Sequence, residues 1–479
     1  MLNARHGNPR GEIDVSHPQP NVSLLDSPLF GAAFSNAEMR AIFSPESYVA
    51  RCVETEVALA HAQAKLDLIP ETAAAGIAEA AHGATLDMAR IGAETQVVGY
   101  PILPIVEQLA ALAGDAGKYL HWGATTQDIM DTATVLQLRE ASAIIARQLD
   151  DVRNVLSGLA AEHRDTAMAG RTHMQHALPV TFGYKAAVWL SALDRHAERL
   201  EQLLPRLLVV EFSGASGTLA SLGDRGLDVQ AGLAAELELG VPAITWHSVR
   251  DSLTEAVQLM AMIAGSLAKI AFDISIMMTT ELGEVSEPFV RHRGASSTMP
   301  QKQNPISCEI ILAGARFVRN NATLMLDAMV HDFERATGPW HLEWAAVPEA
   351  FTVTAGCLEQ ADFMLRGLQV FPDRMLRNLN ATDGLIVAEA VMMALAEHTG
   401  RKEAHDIVYL ACRTALAQGR PLLTVLSEAP EALEPLGARR LAQLCDATRY
   451  MGTAAMMVDR MLAGRGSAPA YGQDLTAAG

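Results

Sequence analysis

Four short segments of this chain carry the residue types that hold carboxylates and move protons. Gly294–Pro305 reads GASSTMPQKQNP, a run of small residues that ends in Lys302 and Asn304 just ahead of a helix expected to begin near Ile306. A cation and an amide beside a helix N-terminus, where backbone N–H groups are free, suit a carboxylate or a phosphate. Small, mobile loops also serve as lids, although an ordinary connection has the same composition. His121–Asp128 (HWGATTQD) offers the hydroxyls of Thr125 and Thr126, both able to donate to a carboxylate. Gly170–Pro179 (GRTHMQHALP) sets His173 two residues before Gln175, and imidazole titrates near neutrality, as a general acid must. A histidine in helical sequence can equally be structural. Ser213–Leu222 (SGASGTLASL) is the fourth segment and reads as a glycine-rich turn.

Long helices must position these segments. The apolar residues Leu253, Val257, Met260, Ile263, Leu267, Ile270, Ile274 and Met277 recur at spacings of four and three, one continuous helical face. A second face runs through Leu138, Ile145, Leu149, Val152, Leu156 and Leu159, and a third covers 310–329. No strand-like alternation of comparable length is present. Helices this long without internal repeats predict a bundle. Ala, Ile and Met around much of 256–278 predict burial on more than one side, which association of subunits would supply. Breakers at Pro101, Pro104, Gly367 and Pro372 divide the 479 residues into an N-terminal helical domain (1–120), a central bundle (121–370) and a C-terminal helical domain (371–479).

Composition narrows the function. Lys plus Arg number 37 against 55 Asp plus Glu, a formal charge of −18 with no basic cluster, so neither nucleic acid nor an anionic membrane is an expected partner. An anionic substrate would need local cations to overcome that field. The first twenty residues lack a signal or transit pattern and read as a flexible lead-in. The weakly charged run Ala256–Ala268 is too short to span a bilayer. Five cysteines without a CxxC pair indicate neither a disulfide framework nor zinc, and point to a reducing cytoplasm. No metal-ligand constellation or dinucleotide fingerprint appears, so no cofactor is expected.

GASSTMPQKQNP resembles the fumarase/aspartase superfamily signature GSSxMPxKxNP, matching at Ser296, Ser297, Met299, Pro300, Lys302, Asn304 and Pro305, with Ala295 where that family has Gly. HWGATTQD is similar to its HxGxTSxD, with Thr126 in place of Ser. GRTHMQHALP resembles its TH region, and the glycine-rich turn follows in the same order, so the resemblance spans nearly the whole chain. It implies an all-α, three-domain fold whose long central helices build a homotetrameric core, with each site shared between subunits. It implies an anti β-elimination too: a base removes a proton next to a carboxylate, an aci-carboxylate dianion forms, and a C–N or C–O bond breaks to leave fumarate. Ser296, six residues before Lys302, corresponds to the family's base, and a serine in that role needs desolvation and donors around its oxyanion. His173 is the candidate acid for the leaving group. Lys302, Asn304, Thr125 and Thr126 match carboxylate-binding positions, Gln175 accompanies the TH pair, and Gly294–Ala295 is the expected hinge. His121 and His176 are expected to orient or support.

Phe333–Trp344 (FERATGPWHLEW), Trp246–Asp251 (WHSVRD) and the region 34–70 resemble the 3-carboxy-cis,cis-muconate cycloisomerase and adenylosuccinate lyase branch. Arg250 and Arg335 are then candidate anion contacts or members of ion pairs, with Val249 standing where those relatives have Gln. Trp340 and Trp344 are expected core anchors. Bacterial cycloisomerases usually have Trp where this chain has His173, and MPQKQNP departs from the MPHKRNP of both relatives. The resemblance thus implies a lyase acting on a small substituted succinate, an N-substituted aspartate in the first instance. Lactonising cycloisomerisation is the alternative, and a noncatalytic helical scaffold a third reading.

Overall fold

The structure, a computed structural model, describes residues 23–294, 298–299 and 301–467. Five long helices make the body, and their termini follow from local sequence. An early helix, α1 (Pro45–Lys65), starts at an N-cap, Ser44, that accepts from Ser47 N, with Pro45 at the first helical position, where its missing N–H is harmless. The bundle proper begins with α2 (Thr126–Glu162), 37 residues long. Strands β1 (Ala167–Thr172) and β2 (Gln175–Thr181) then form an antiparallel hairpin. It feeds α3 (Phe182–Leu207), capped by Thr181. Three more helices complete the bundle: α4 (Asp251–Met277), α5 (Ile306–Ala328) and α6 (Pro339–Arg366).

The five run alternately up and down. The end of α2 meets the start of α3, where Gly183 N donates to His163 O at 2.8 Å. The start of α4 meets the end of α5, where Thr254 Oγ1 donates to Met325 O at 3.1 Å. At the opposite end a two-residue strand pair joins Val285–Ser286, after α4, to Gln369–Val370, after α6. The bundle therefore has a Thr125 end, with the starts of α2, α4 and α6, and a hairpin end, with β1–β2 and the start of α5. Along the 27 residues of α4, at 1.5 Å each, the two ends stand about 40 Å apart.

All eight periodic residues of α4, Leu253 to Met277, are buried in the largest core cluster, each contributing roughly 1.5–3 kcal/mol by leaving water. Length and hydropathy alone would let α4 cross a bilayer. Its placement against α3, α5 and α6 makes it a core helix instead. Its outer flank still shows Met262 and Phe272, 43% and 47% exposed, and Phe317 and Leu326 on α5 are also open. Helices between 388 and 444 pack around a separate cluster that includes Val391, Leu395, Val408 and Leu441.

The hairpin is what periodicity did not announce. Its two-residue turn, His173–Met174, has φ of 51° and 62°, the left-handed pair that tight hairpin turns need and that Asn-Gly usually supplies. Without glycine there, the segment does not read as a turn.

Candidate active site

At the Thr125 end, one buried carboxylate ties the chemistry-bearing segments together. Asp128, in the first turn of α2, accepts from Thr125 N (2.9 Å) and Gly214 N (3.0 Å) on Oδ2. Its Oδ1 accepts from Ser213 N (2.9 Å) and contacts His247 Nε2 (2.7 Å). The start of α2, with Thr125 and Thr126 half-buried at its mouth, is thereby joined to the glycine-rich loop. That loop holds Arg335 in turn, whose Nη2 donates to Ala215 O at 2.9 Å. His121, at φ 59°, is fixed behind this group by Glu56, which lies 2.6 Å from its Nδ1. Burial opposes the charge on His121, but the hydrogen bond and charge of Glu56 outweigh it and raise its pKa above the ordinary imidazole value.

At the hairpin end, His173 and Gln175 are exposed at the tip of β1–β2. The hairpin is anchored below by Arg171, whose guanidinium donates twice to the buried Glu284 (2.9 and 2.5 Å). Lys302, Asn304, Glu287, His292 and Arg293 line a small cavity of about 70 Å³ nearby, beside the start of α5. Asn304 N donates to Gly294 O at 3.1 Å, closing the neck of the loop, and Arg293 pins the same neck to Ser307 and Gln360. Gly294 sits at φ 66°, and a Cβ there would meet Asn304 O at 2.7 Å, so only glycine fits. Ser296, the expected base, and Ala295 of the expected hinge lie outside the described residues.

Two expectations need correction. Arg250 is not placed to touch substrate: its side chain is fully buried and divides its donors between Asp131 (2.7 and 2.8 Å) and Glu343 (2.8 and 2.5 Å), with Trp246 over its face. Each of its three nitrogens donates to a carboxylate within the chain. The start of α5 is also not an open anion site, because Glu287 accepts from Ser307 N (3.1 Å) and Cys308 N (2.9 Å) and occupies it. An anion held by Lys302 and Asn304 would be held by their own side chains. Trp340 is a core anchor donating to Asp131, whereas Trp344 is 39% exposed at the rim. Sequence reasoning passed over His247, Glu211 and Asp128. The signal was present, since His247 sits inside the same WHSVRD segment that drew attention to Arg250.

Asp128, Glu211 and His247 have the composition of a metal site. Their oxygens are already engaged, however: four contacts fill Asp128, while Glu211 takes the Ser213 hydroxyl at 2.5 Å and Trp246 N at 2.8 Å. The trio is a closed hydrogen-bond network rather than an open ligand set. A larger cavity of about 710 Å³, lined by Glu46, His61, His82 and Glu236 among others, contains none of the candidate site residues.

The model of a family described as Lyase matches residues 33–319, and one described as Adenylosuccinate lyase C-terminus matches 384–461. The chain belongs to the fumarase/aspartase superfamily. A solved structure of a fumarate lyase from Mesorhizobium sp. BNC1 superposes with a TM-score of 0.87 at 66% identity, covering 91% of this chain and all of that one. Trans-aconitate decarboxylase 1 of Mycosarcoma maydis is 47% identical over 91% of this chain and 88% of its own length. The 3-carboxy-cis,cis-muconate cycloisomerase of Pseudomonas aeruginosa is 44% identical over 91% and 96%. N-acetyl-S-(2-succino)cysteine lyase of Enterococcus italicus is 37% identical over 92% and 97%. The all-α fold and superfamily membership expected from the motifs are thus both observed, and the chain is a lyase-superfamily enzyme. The names of its relatives divide among several reactions.

Proposed function

We propose that this chain catalyses anti β-elimination from a small substituted succinate, in the first instance an N-substituted aspartate, releasing fumarate. Ser296 takes the proton next to one carboxylate, the electrons move into an aci-carboxylate, and the bond to the leaving group breaks. His173 protonates the departing nitrogen. Carriage of the developing charge falls to Lys302, Asn304, Thr125, Thr126 and Arg335, with Gln175 beside His173 at the hairpin tip. A well-placed donor to such an oxyanion is worth roughly 3–4 kcal/mol. The observation that carries this reading is His173 itself: an imidazole exposed at the tip of a hairpin whose base is clamped by Arg171 and Glu284. A leaving group that must be protonated needs such a side chain.

The substituted-succinate class gains support from the 2-succino compound in the name of the Enterococcus relative. The second reading, lactonisation of 3-carboxy-cis,cis-muconate, gains equal support from the name of the Pseudomonas relative. Both use a small di- or tricarboxylate and neither requires a cofactor. We further propose a homotetramer with shared sites, because the Thr125 end and the hairpin end of one chain are about 40 Å apart along α4.

Following fumarate absorbance with a panel of N-, S- and O-substituted succinates tests the reading. Turnover of an N-substituted aspartate that is lost in Ser296→Ala, with folding unchanged, is the expected result. Lactone formation from carboxymuconate, with no fumarate from any candidate, would overturn it.

A further inference from the structure

Six acidic or basic side chains besides His247 share the buried space at the Thr125 end. Asp128 and Asp131 come from α2, Glu211 from the segment after α3, Arg250 from the start of α4, and Glu343 from α6; His331, after α5, adds a second imidazole 4.0 Å from Glu343. Arg250 neutralises Asp131 and Glu343 with paired hydrogen bonds, as described above. That leaves Asp128 and Glu211, both with fully buried side chains, and His247 Nε2 lies between them at 2.7 and 3.5 Å. Two carboxylates cannot both stay ionised in a buried site without a cation between them.

We propose that His247 is a positioning residue for substrate carboxylate binding: as an imidazolium bridging Asp128 and Glu211, it locks the start of α2 and the Ser213–Ala215 loop into one frame. This rests on the carboxylate-binding reading of Thr125, Thr126 and Arg335. The path is short. His247 holds Asp128, Asp128 holds Thr125 N with Ser213 N and Gly214 N, and the loop carbonyls hold Arg335. His247 is fixed from its other side, since Gln127 Nε2 donates to His247 O at 2.8 Å. Its Nδ1 has no hydrogen-bond partner, so the ring is anchored to the carboxylates through Nε2.

The proton balance agrees with the geometry. Burial opposes protonation of His247, but its hydrogen bond to Asp128 and the charges of Glu211, Asp128 and Asp131 prevail and raise its pKa. Burial likewise pushes Glu211 up to about 7, against the pull of His247 and the Ser213 hydroxyl. Glu211 therefore gives up its proton near neutrality, and His247 holds its own to higher pH than a free imidazole does before it too is lost. The frame then holds two buried carboxylates facing one another, and its grip on Thr125 and the loop weakens.

The probe is succinate, which carries both carboxylates and no leaving group, titrated calorimetrically into the full-length protein from about pH 6 to about pH 9. In the unaltered protein, affinity should fall on the alkaline side. His247→Gln should bind at least about tenfold more weakly at neutral pH and lose the alkaline limb, with kcat on any turned-over substrate changing less than KM. Glu211→Gln removes one of the two carboxylates that hold the imidazolium and should move the limb to lower pH. Wild-type affinity and limb in His247→Gln would overturn the proposal. If that variant does not melt cooperatively, Glu211→Gln decides alone, and an unshifted limb overturns it. Succinate binding by the unaltered protein with no alkaline limb defeats the positioning role only, whereas no binding at any pH defeats the carboxylate reading and the role with it.

Discussion

Because the two halves of the proposed site lie at opposite ends of the bundle, defects in them should complement between chains. Thr126→Val removes one hydroxyl donor at the start of α2 and leaves the Asp128 network in place. Lys302→Met removes an exposed cation beside α5. One donor to a developing oxyanion is worth roughly 3 kcal/mol, so each variant alone should retain about one per cent of turnover. The distance of about 40 Å along the 27 residues of α4 is far beyond the reach of any side chain, so in the proposed homotetramer each site takes its Thr125 end and its hairpin end from different chains. In a randomly mixed assembly of both variants, half of each kind of end is intact, and about one site in four is wholly intact. Co-expressed in equal amounts under separate tags and doubly purified, the mixture should recover about a quarter of wild-type turnover, roughly 25-fold above either parent. The assay is fumarate release from whichever substituted succinate the unaltered protein turns over. Mixed assemblies no more active than the parents would refute the shared site, and so would full activity in a monomer by light scattering.

Two further outcomes follow from particular contacts. Arg250→Met strands Asp131 and Glu343 as buried, uncompensated carboxylates, a loss of about 3–5 kcal/mol, visible as a lower midpoint in thermal unfolding. Adding Glu343→Gln should recover part of it, and weakened succinate binding at unchanged stability would restore Arg250 as a substrate contact. Gly294→Ala puts a Cβ against Asn304 O in a left-handed backbone, at about 1–2 kcal/mol of strain; we expect turnover down at least about tenfold with little change in melting, and wild-type turnover would show that the neck geometry does not matter.

The bundle was legible from periodicity because burial on a helix leaves its mark every three or four residues, as the eight buried positions of α4 do. A candidate site was legible from segments such as GASSTMPQKQNP, whose polar residues have no use in a helix interior. Other features were not. The hairpin under His173 is too short to impose an alternation, and its turn uses His and Met where glycine would have signalled it. Arg250 and His247 lie three residues apart in WHSVRD, and nothing local says which of them faces a ligand. That depends on Asp131 and Glu343, which lie 119 and 93 residues from Arg250 and reach it only when α2, α4 and α6 pack. Likewise Glu287 takes the N–H groups at the start of α5 that the sequence left open to an anion. The sequence by itself determined which residue types are available and on which helical face they lie. Only the tertiary structure decided which charges neutralise one another and which stay free for a substrate, because electrostatic partners are chosen by distance in space.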